Sequence, residues 1–584
     1  MFKPDKDRLD YGELLSPPKG FKVSRAVGTT YSLDLETMIS IPISLCFSQS
    51  IDNSKNKEKL HIVDSIVKCS KIIKVYCQQG QIHVPKNTYS LYSLLEDSIA
   101  QVLPDGDYSF HPKIWIIRFE GKFTKEIIYR VIVLSRNLTF DRSWDVSVCM
   151  DGIVESKKVE ENKPIIDFMK HLTKYNDFEE SKIFIRDLNK VRFDLKSSGF
   201  DSYEFLPMGI ENYNKHELFE GKCKNQAIIS PFLSKSTLDK IGQLSSNKTI
   251  LLSRENELNK IDNKTLQSFE CYNLKDSVID GEEYVSLDGE DIKKQDIHAK
   301  MYIRDIGRVC NLYLGSTNCS HRGFNGNIEF LLKLSTSKRN INCNSIISDL
   351  ISYDEESCFQ KFIPSNVESD IDNEDELINN LKKYICKYDM KAKVVKDKDL
   401  YNIELLIKNI NEILIDNKDV DMYIKPLHKL EEKKHITSRV IFKGFKEVQL
   451  SSFYIIDIIG KESHKSFILK IDTEGIPYSR DKEILKDIIQ SPQAFLNYMS
   501  FILGDKSIAE IINSSNYEKK LENKEQGISS TFIKKAMFEK MLQAASREPD
   551  KIKDIKNIIK YLDDEDIVPD EFKQLCKAFD NFIR

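Results

Sequence analysis

The sequence predicts an α/β protein built from two similar halves, followed by an α+β module of different composition. Three observations carry this. The chain has 584 residues, which is too long for one hydrophobic core. The order strand, helix, strand, His-x-Lys, Ser-x-Asn occurs twice, in 22–155 and again in 223–362. Beyond an acidic stretch at 363–376 the composition shifts to Lys, Ile, Asp and Asn, and no chemical motif appears in 377–584. Each half is expected to be a mixed sheet flanked by helices, the two related by a pseudo-twofold axis.

Residues 1–21 read as an irregular lead-in. Ala26 to Leu35 reads as strand and turn, leading to a helix capped near Ser32 or Asp34. Residues 49–60 are a polar loop. Ile72–Cys77 is a second strand and Leu91–Leu103 is expected to be helical. In the second half, Ala227–Phe232 gives a strand and turn. Ser234–Leu244 gives a helix with Ser234 or Ser236 as its cap, and Thr249–Ser253 another strand. Residues 156–222 form a helical connection, with a helix around Lys163–Tyr175. In the C-terminal module, 400–473 alternates as β and 482–584 is mostly helical by period. The acidic run Ser365–Glu376 reads as a linker or solvated helix start, or else as a docking segment.

The chemistry lies in the doubled motif. The first copy has His111-Pro-Lys113, Ser135-Arg-Asn137 and Trp144-Asp145. The second has His298-Ala-Lys300, Asp305, Gly315-Ser316-Thr-Asn318 and Asn327-Ile-Glu329. On a strand, residues i and i+2 share a face, so each His and Lys point together, and each Ser and Asn can join them from a neighbouring strand end. Each copy therefore offers an imidazole, an ammonium, a hydroxyl and an amide to one small volume. These groups suit a phosphate: Lys supplies charge, Ser and Asn hydrogen bonds, and His a nucleophile or a proton. A nucleophilic His must present a neutral nitrogen with its other N–H fixed by an acceptor, and Asp145 and Glu329 are the candidates for that role. Trp115 and Trp144 read as core or cleft wall, with stacking on a base open to Trp144. Thr30–Asp34 and Ser230-Pro-Phe232, at matched strand ends, are either cleft-lining or caps and turns.

These residues resemble the phospholipase D superfamily, whose pattern is His-x-Lys, four residues, Asp, then Gly-Ser-x-Asn, once per half. The second copy matches throughout. The first has Arg118 at the Asp position and Leu134-Ser135 for Gly-Ser, which resembles the His-Lys-Asn variant of tyrosyl-DNA phosphodiesterases. Because that variant lacks the Asp, Asp305 reads as structural. The resemblance covers about 22–340 and implies two phospholipase-D-like halves. The implied reaction is a two-step phosphodiester cleavage with no cofactor and no metal: one His forms a phosphohistidine, and the other protonates the leaving oxygen and then activates water. By the same resemblance His111 is the nucleophile and His298 the acid/base, while Lys113, Lys300, Asn137 and Asn318 hold the nonbridging oxygens. Ser135, Asp145, Asp305, Ser316 and Glu329 support them.

Two further stretches, 26–35 and 493–498, are similar to bacterial phospholipase-D-like nucleases associated with helicases in anti-phage or restriction systems. The implied partners are nucleic acid, DNA before RNA, and a helicase or other defence-system protein. A lipid phosphodiesterase and a non-enzymatic binding module are the competing readings. The bulk numbers constrain these readings. Lys and Arg number 87 against 91 Asp and Glu, a net charge of −4, so nucleic-acid binding must rest on a local patch. The twelve cysteines include no Cys-x-x-Cys and read as core residues of a reducing cytosol. Neither a signal peptide nor a membrane-length apolar run is apparent, so the expectation is a cytoplasmic protein with no membrane contact. One chain holds both halves of a site, so a homodimer through sheet-edge pairing would be unnecessary for chemistry.

Overall fold

A computed structural model describes residues 11–46, 70–139, 143–195, 198–213, 221–275, 297–351, 359–364, 373–408, 410 and 420–488, with isolated positions beyond. The expected 49–60 loop, and almost all of the 493–498 stretch and of the helical region beyond Ile488, lie outside the described residues.

The first half contains β1 (Phe21–Thr30), β2 (Leu33–Asp34), β3 (Ile73–Gln78), β4 (Ile82–His83), β5 (Ile99–Val102), β6 (Ile114–Gly121), β7 (Ile127–Leu134), β8 (Ser147–Val154) and β9 (Val191–Phe193). The second contains β10 (Ser202–Met208), β11 (Gln226–Ile229), β12 (Thr249–Leu252), β13 (Phe269–Leu274), β14 (Met301–Ile306), β15 (Val309–Gly315), β16 (Glu329–Ser337) and β17 (Phe359–Lys361). The first sheet runs β5-β3-β1-β6-β7-β8-β9 and the second β17-β13-β12-β11-β14-β15-β16-β10. In both, three parallel strands lead into an antiparallel meander through the same pairings: β1 with β6 and β11 with β14, β6 with β7 and β14 with β15, β7 with β8 and β15 with β16. The internal repeat expected from the motif order is therefore a repeat of topology and strand direction. Fully buried runs such as β3 (IKVYCQ) and β11 (QAII) are what strands covered on both faces require.

The two sheets share one core. Val27, Ile116 and Val131 of the first pack with Ile229, Ile303 and Leu332 of the second. The helix Lys163–Tyr175 lies in the same cluster because Ile165, Phe168, Met169 and Leu172 recur on one face. The outer face of the first sheet is covered by the helix Leu35–Cys46 through Met38 and Ile41. The outer face of the second is covered by Lys235–Gly242 through Leu238 and Ile241.

Four local expectations change, the first being the irregular lead-in, which carries a short helix, Tyr11–Leu15, with Leu14 and Leu15 in the core of the first half because they pack beneath its sheet. Residues 90–98 form a 3-10 helix and 99–102 the strand β5, where one helix was expected over 91–103. Ile99 and Val102 are pulled into the sheet by parallel pairing with β3, a long-range contact that helical periodicity cannot reveal. Its counterpart β13 was not anticipated either. The connection is not purely helical, since it adds β9 and β10 to the edges of the two sheets.

The C-terminal region holds the helix Asn373–Lys387, then β18 (Asp389–Asp397), β19 (Leu400–Lys408), β20 (Asp421–Pro426), β21 (Lys434–His435), β22 (Arg439–Phe445), β23 (Phe453–Ile459), β24 (His464–Lys470) and β25 (Asp472–Glu474), and the helix Arg480–Ile488. It is α+β, yet it is not detached from the first half. The short strands β2 and β4 continue the sheet of β24, β23, β20 and β21, and Leu427, Phe453, Ile455 and Ile468 enter the core of the first half. The buried Glu96 carboxylate accepts from Ser451 Oγ (2.7 Å) and Ser452 N (2.9 Å) and pairs with Arg480 (2.9 Å). Among the described residues, no helix is long and apolar enough to cross a membrane.

Candidate active site

The two motifs meet where the halves face each other. Each His is delivered on a short stretch that pairs with the other half. His111 N donates to Ile328 O (2.8 Å), and Ile328 N to Ser109 O (2.9 Å). In the second half, the N–H groups of His298 and Ala299 both donate to Trp144 O (3.0 Å). The Ser-x-Asn ends are fixed in matching ways. Leu134 N donates to Lys113 O (3.0 Å) and Gly315 N to Lys300 O (3.3 Å); Ser135 N and Ser316 N donate to Val146 O and Phe330 O (both 3.0 Å).

The side chains cross over. His111 Nδ1 lies 2.9 Å from Glu329 Oε2, the carboxylate of the second half, and His298 Nδ1 lies 3.2 Å from Asp145 Oδ1 of the first. Each carboxylate is held by the hydroxyl of its own half. Ser135 Oγ donates to Asp145 (2.8 Å) and Ser316 Oγ to Glu329. Each hydroxyl in turn accepts a backbone N–H, from Val146 and Phe330 respectively (both 3.0 Å). Ionised carboxylates dictate that each imidazole carries its proton on Nδ1, leaving Nε2 free for chemistry. Glu329 is fully buried and its Oε1 faces Asn327 Nδ2 at 3.4 Å, whereas the Asp145 side chain keeps 15% of its exposure.

Lys113 and Lys300 are fully buried, and each ammonium donates to the carbonyl of its own motif's His (3.1 and 2.6 Å). Burial first, then the proximity of Lys300, holds the Lys113 ammonium well below its ordinary range, against the pull of Glu329 and Asp145. His111 is depressed to about 4, by burial first and then Lys113, with Glu329 opposing. His298 is depressed to about 4, by burial first and then Lys300, with Asp145 opposing. Both imidazoles are thus neutral near pH 7. The Oδ1 atoms of Asn137 and Asn318 are buried without a hydrogen-bond partner, as is Asp145 Oδ2. Turned over, each amide would present a buried donor, as a phosphate oxygen requires.

Of the expected site residues, hydrogen bonds join His111, Lys113, Ser135, Asp145, His298, Lys300, Ser316 and Glu329 in this constellation, Asn137 and Asn318 end its two Ser-x-Asn turns, and Asp305 stands apart. Asp305 sits at its back, accepting from Asn225 Nδ2 (3.0 Å) and from Cys343 N (3.1 Å), at the start of the helix Cys343–Leu350. The matching Arg118 bonds Ser24 Oγ (2.7 Å), pairs with Glu120 and reaches Asp187 at 3.5 Å. Both residues anchor neighbouring structure, so the exchange leaves the site unchanged. Gly315 has φ +150°, and a Cβ there would lie 2.2 Å from Phe330 O. Leu134 reaches the equivalent place without a positive φ. Trp115 is buried, and Trp144 packs edge-on against Phe359 with centroids 5.4 Å apart. Thr30 and Ser230 are caps: Thr30 Oγ1 donates to Ser32 O (2.7 Å) and accepts from Leu138 N (3.0 Å), and Ser230 Oγ donates to Phe232 O and accepts from Cys319 N (both 2.8 Å). Tyr31, within the Thr30–Asp34 stretch read from the sequence as cleft-lining or turn, is a neighbour of His111. Its ring meets the imidazole edge-on at 5.2 Å and its hydroxyl accepts from Gln81 Nε2 (2.9 Å). Its place one residue past the Thr30 strand end was the available signal.

The fold is similar to several solved structures. Yeast tyrosyl-DNA phosphodiesterase shares 11% identity over 56% of this chain and 84% of its own, with a TM-score of 0.33. Polyphosphate kinase from Porphyromonas gingivalis shares 11% over 64% and 51%, with a TM-score of 0.33. Phosphatidylserine synthase from Haemophilus influenzae shares 12% over 58% and 81%, with a TM-score of 0.29. No family model matches the chain, and no curated protein matches it in sequence. At these values function is read from the site's own geometry. Among the described residues, no three His, Cys, Asp or Glu side chains are grouped to hold a metal ion.

Proposed function

We propose that the chain is a phosphodiesterase of the phospholipase D type, and specifically a nuclease that cleaves DNA, or RNA, through a phosphohistidine. The observation that carries this reading is the exchanged pair of His–carboxylate–Ser relays, with two buried lysines between them. A single imidazole with a carboxylate serves many structural purposes. Two of them, with the same proton assignment and facing one volume, match a reaction that needs a nucleophile and an acid on opposite sides of one phosphorus.

In this mechanism His111 Nε2 attacks phosphorus as His298 Nε2 delivers a proton to the leaving oxygen. The N–P bond forms, the P–O bond breaks, and the ring charge gained by His111 faces the Glu329 carboxylate. His298, now neutral, removes a proton from water, and the hydroxide expels His111. Because both imidazoles are neutral without substrate, the proton on His298 is acquired with the phosphate anion, whose charge raises the His298 pKa. Lys113, Lys300, Asn137 and Asn318 hold the nonbridging oxygens. A nuclease setting in anti-phage defence, with a helicase or similar partner, belongs to the same proposal and rests on the sequence resemblance, while the cytoplasmic location rests on composition and the chemistry needs no homodimer.

The test is cleavage of labelled single- and double-stranded DNA and RNA in excess EDTA, beside His111→Ala and His298→Ala. Expected is EDTA-resistant cleavage lost in both variants, with an acid-quenched phosphorus label on His111. A label on His298 reverses the roles. Hydrolysis of phospholipid vesicles with no cleavage of any polynucleotide would replace the nuclease reading with a lipid one, and activity retained in both variants would remove the two-histidine mechanism.

A further inference from the structure

The halves match down to the hydrogen bonds of their strand-end hydroxyls, so the places where they differ around the site are informative. Thr30 and Ser230 each donate to the carbonyl two residues ahead, which makes Ser32 and Phe232 equivalent positions. Ser32 is buried, whereas Phe232 keeps 42% of its surface exposed. The Phe232 ring is not loose. The Arg254 guanidinium carbon lies 5.0 Å from its centroid, and Arg254 Nε donates to the carbonyl of Ile297, the residue before His298 (2.9 Å). The Phe232 loop also fixes the end of the second Ser-x-Asn, because Cys319 N donates to Ser230 Oγ (2.8 Å). An exposed aromatic ring is therefore held between the stretch that delivers His298 and the turn that delivers Asn318. On the other side the half-buried Tyr31 packs edge-on against His111 and is tied to Gln81.

We infer that Phe232, backed by Arg254, is a stacking platform for the nucleobase on the His298 side of the scissile phosphate, an inference that rests on the nuclease reading above. An arginine over one face of the ring leaves the rest of the ring open, and it places a positive charge where a backbone phosphate adjoins the stacked base. Every base has a π-face, so such a platform adds affinity without selecting sequence.

The experiment uses full-length protein carrying His111→Asn, so that substrate persists. Binding of a labelled oligothymidylate is compared with that of an abasic deoxyribose-phosphate chain of equal length, at one salt concentration and in EDTA. Adding Phe232→Ala is expected to weaken oligothymidylate binding about tenfold, about 1.4 kcal/mol, and to leave the abasic chain unchanged. Phe232→Trp is expected to restore the difference, which separates stacking from misfolding. Equal losses on both chains, or no loss on either, would overturn the platform. Failure of both chains to bind before Phe232 is changed would overturn the single-stranded-DNA form of the nuclease reading beneath it, a different and recognisable result.

Discussion

The exchange of carboxylates between halves makes a prediction that pairing within each half does not. If Glu329 serves His111, then Glu329→Gln must slow the step that His111 performs, although the two residues belong to different motif copies. Glutamine keeps the shape and can still accept from Nδ1, so the loss is that of the charge facing the ring as it becomes a cationic phosphohistidine. At the observed 2.9 Å, two unit charges in an effective dielectric of about 20 interact by about 6 kcal/mol. The difference between a charged and a neutral hydrogen bond sets a floor of about 1 kcal/mol. A loss of about 10²–10³ in the first chemical step lies between these bounds.

The assay is a pre-steady-state burst with two substrates, a polynucleotide and a p-nitrophenyl phosphodiester whose leaving group needs no proton. Glu329→Gln is expected to slow the burst on both. Asp145→Asn, acting on the acid His298, is expected to slow it on the polynucleotide by a similar factor but on the p-nitrophenyl ester less than about tenfold. An inverted pattern would exchange the roles of the histidines and keep the crossed pairing. Indistinguishable defects on both substrates, or a loss under about threefold for Glu329→Gln, would refute the reasoning.

Four further outcomes are expected. Both histidines titrate lower in the folded chain, about 4, than in the unfolded chain, about 6.5. The unfolded state therefore binds the extra protons between these values, and stability, fully present above pH 6.5, falls as pH drops toward 4 by on the order of 3 kcal/mol for each histidine. Urea unfolding of wild type and His111→Asn at pH 7 and 5 checks this through a flatter dependence in the variant. Lys113→Met should lower kcat by at least about 10² while leaving stability unchanged or raised, because it removes a fully buried cation whose charged form is disfavoured by burial; thermal unfolding that drops instead would contradict this. Gly315→Ala should destabilise by about 2–4 kcal/mol, since its Cβ would meet Phe330 O, and a change under 1 kcal/mol in chemical denaturation would be inconsistent with the geometry. Arg480→Ala strands the buried Glu96 carboxylate and should cost about 3–5 kcal/mol, measured as separate unfolding of the C-terminal region or a lowered midpoint for the whole chain.

What the sequence by itself determined is what short-range geometry determines. The His-x-Lys spacing put each His beside its Lys, although both stretches lie just before the strands β6 and β14 and not in them. The doubled motif located both halves, and the choice of Asp145 and Glu329 as orienting acceptors came from the acid–base needs of imidazole. The helix Lys163–Tyr175 followed from its apolar period. The strands β5 and β13 did not, because short sheet strands are specified by the neighbour they pair with. Only the tertiary structure decided which carboxylate serves which histidine, since those contacts join residues 218 and 153 positions apart. It also decided that Arg118 can replace the motif's Asp, because the position faces supporting structure, and that the C-terminal region takes β2 and β4 of the first half into its own sheet and enters that half's core. The physical reason is common to all of these: side-chain type and spacing fix which groups share a face, whereas the partner across that face is set by how the sheets dock.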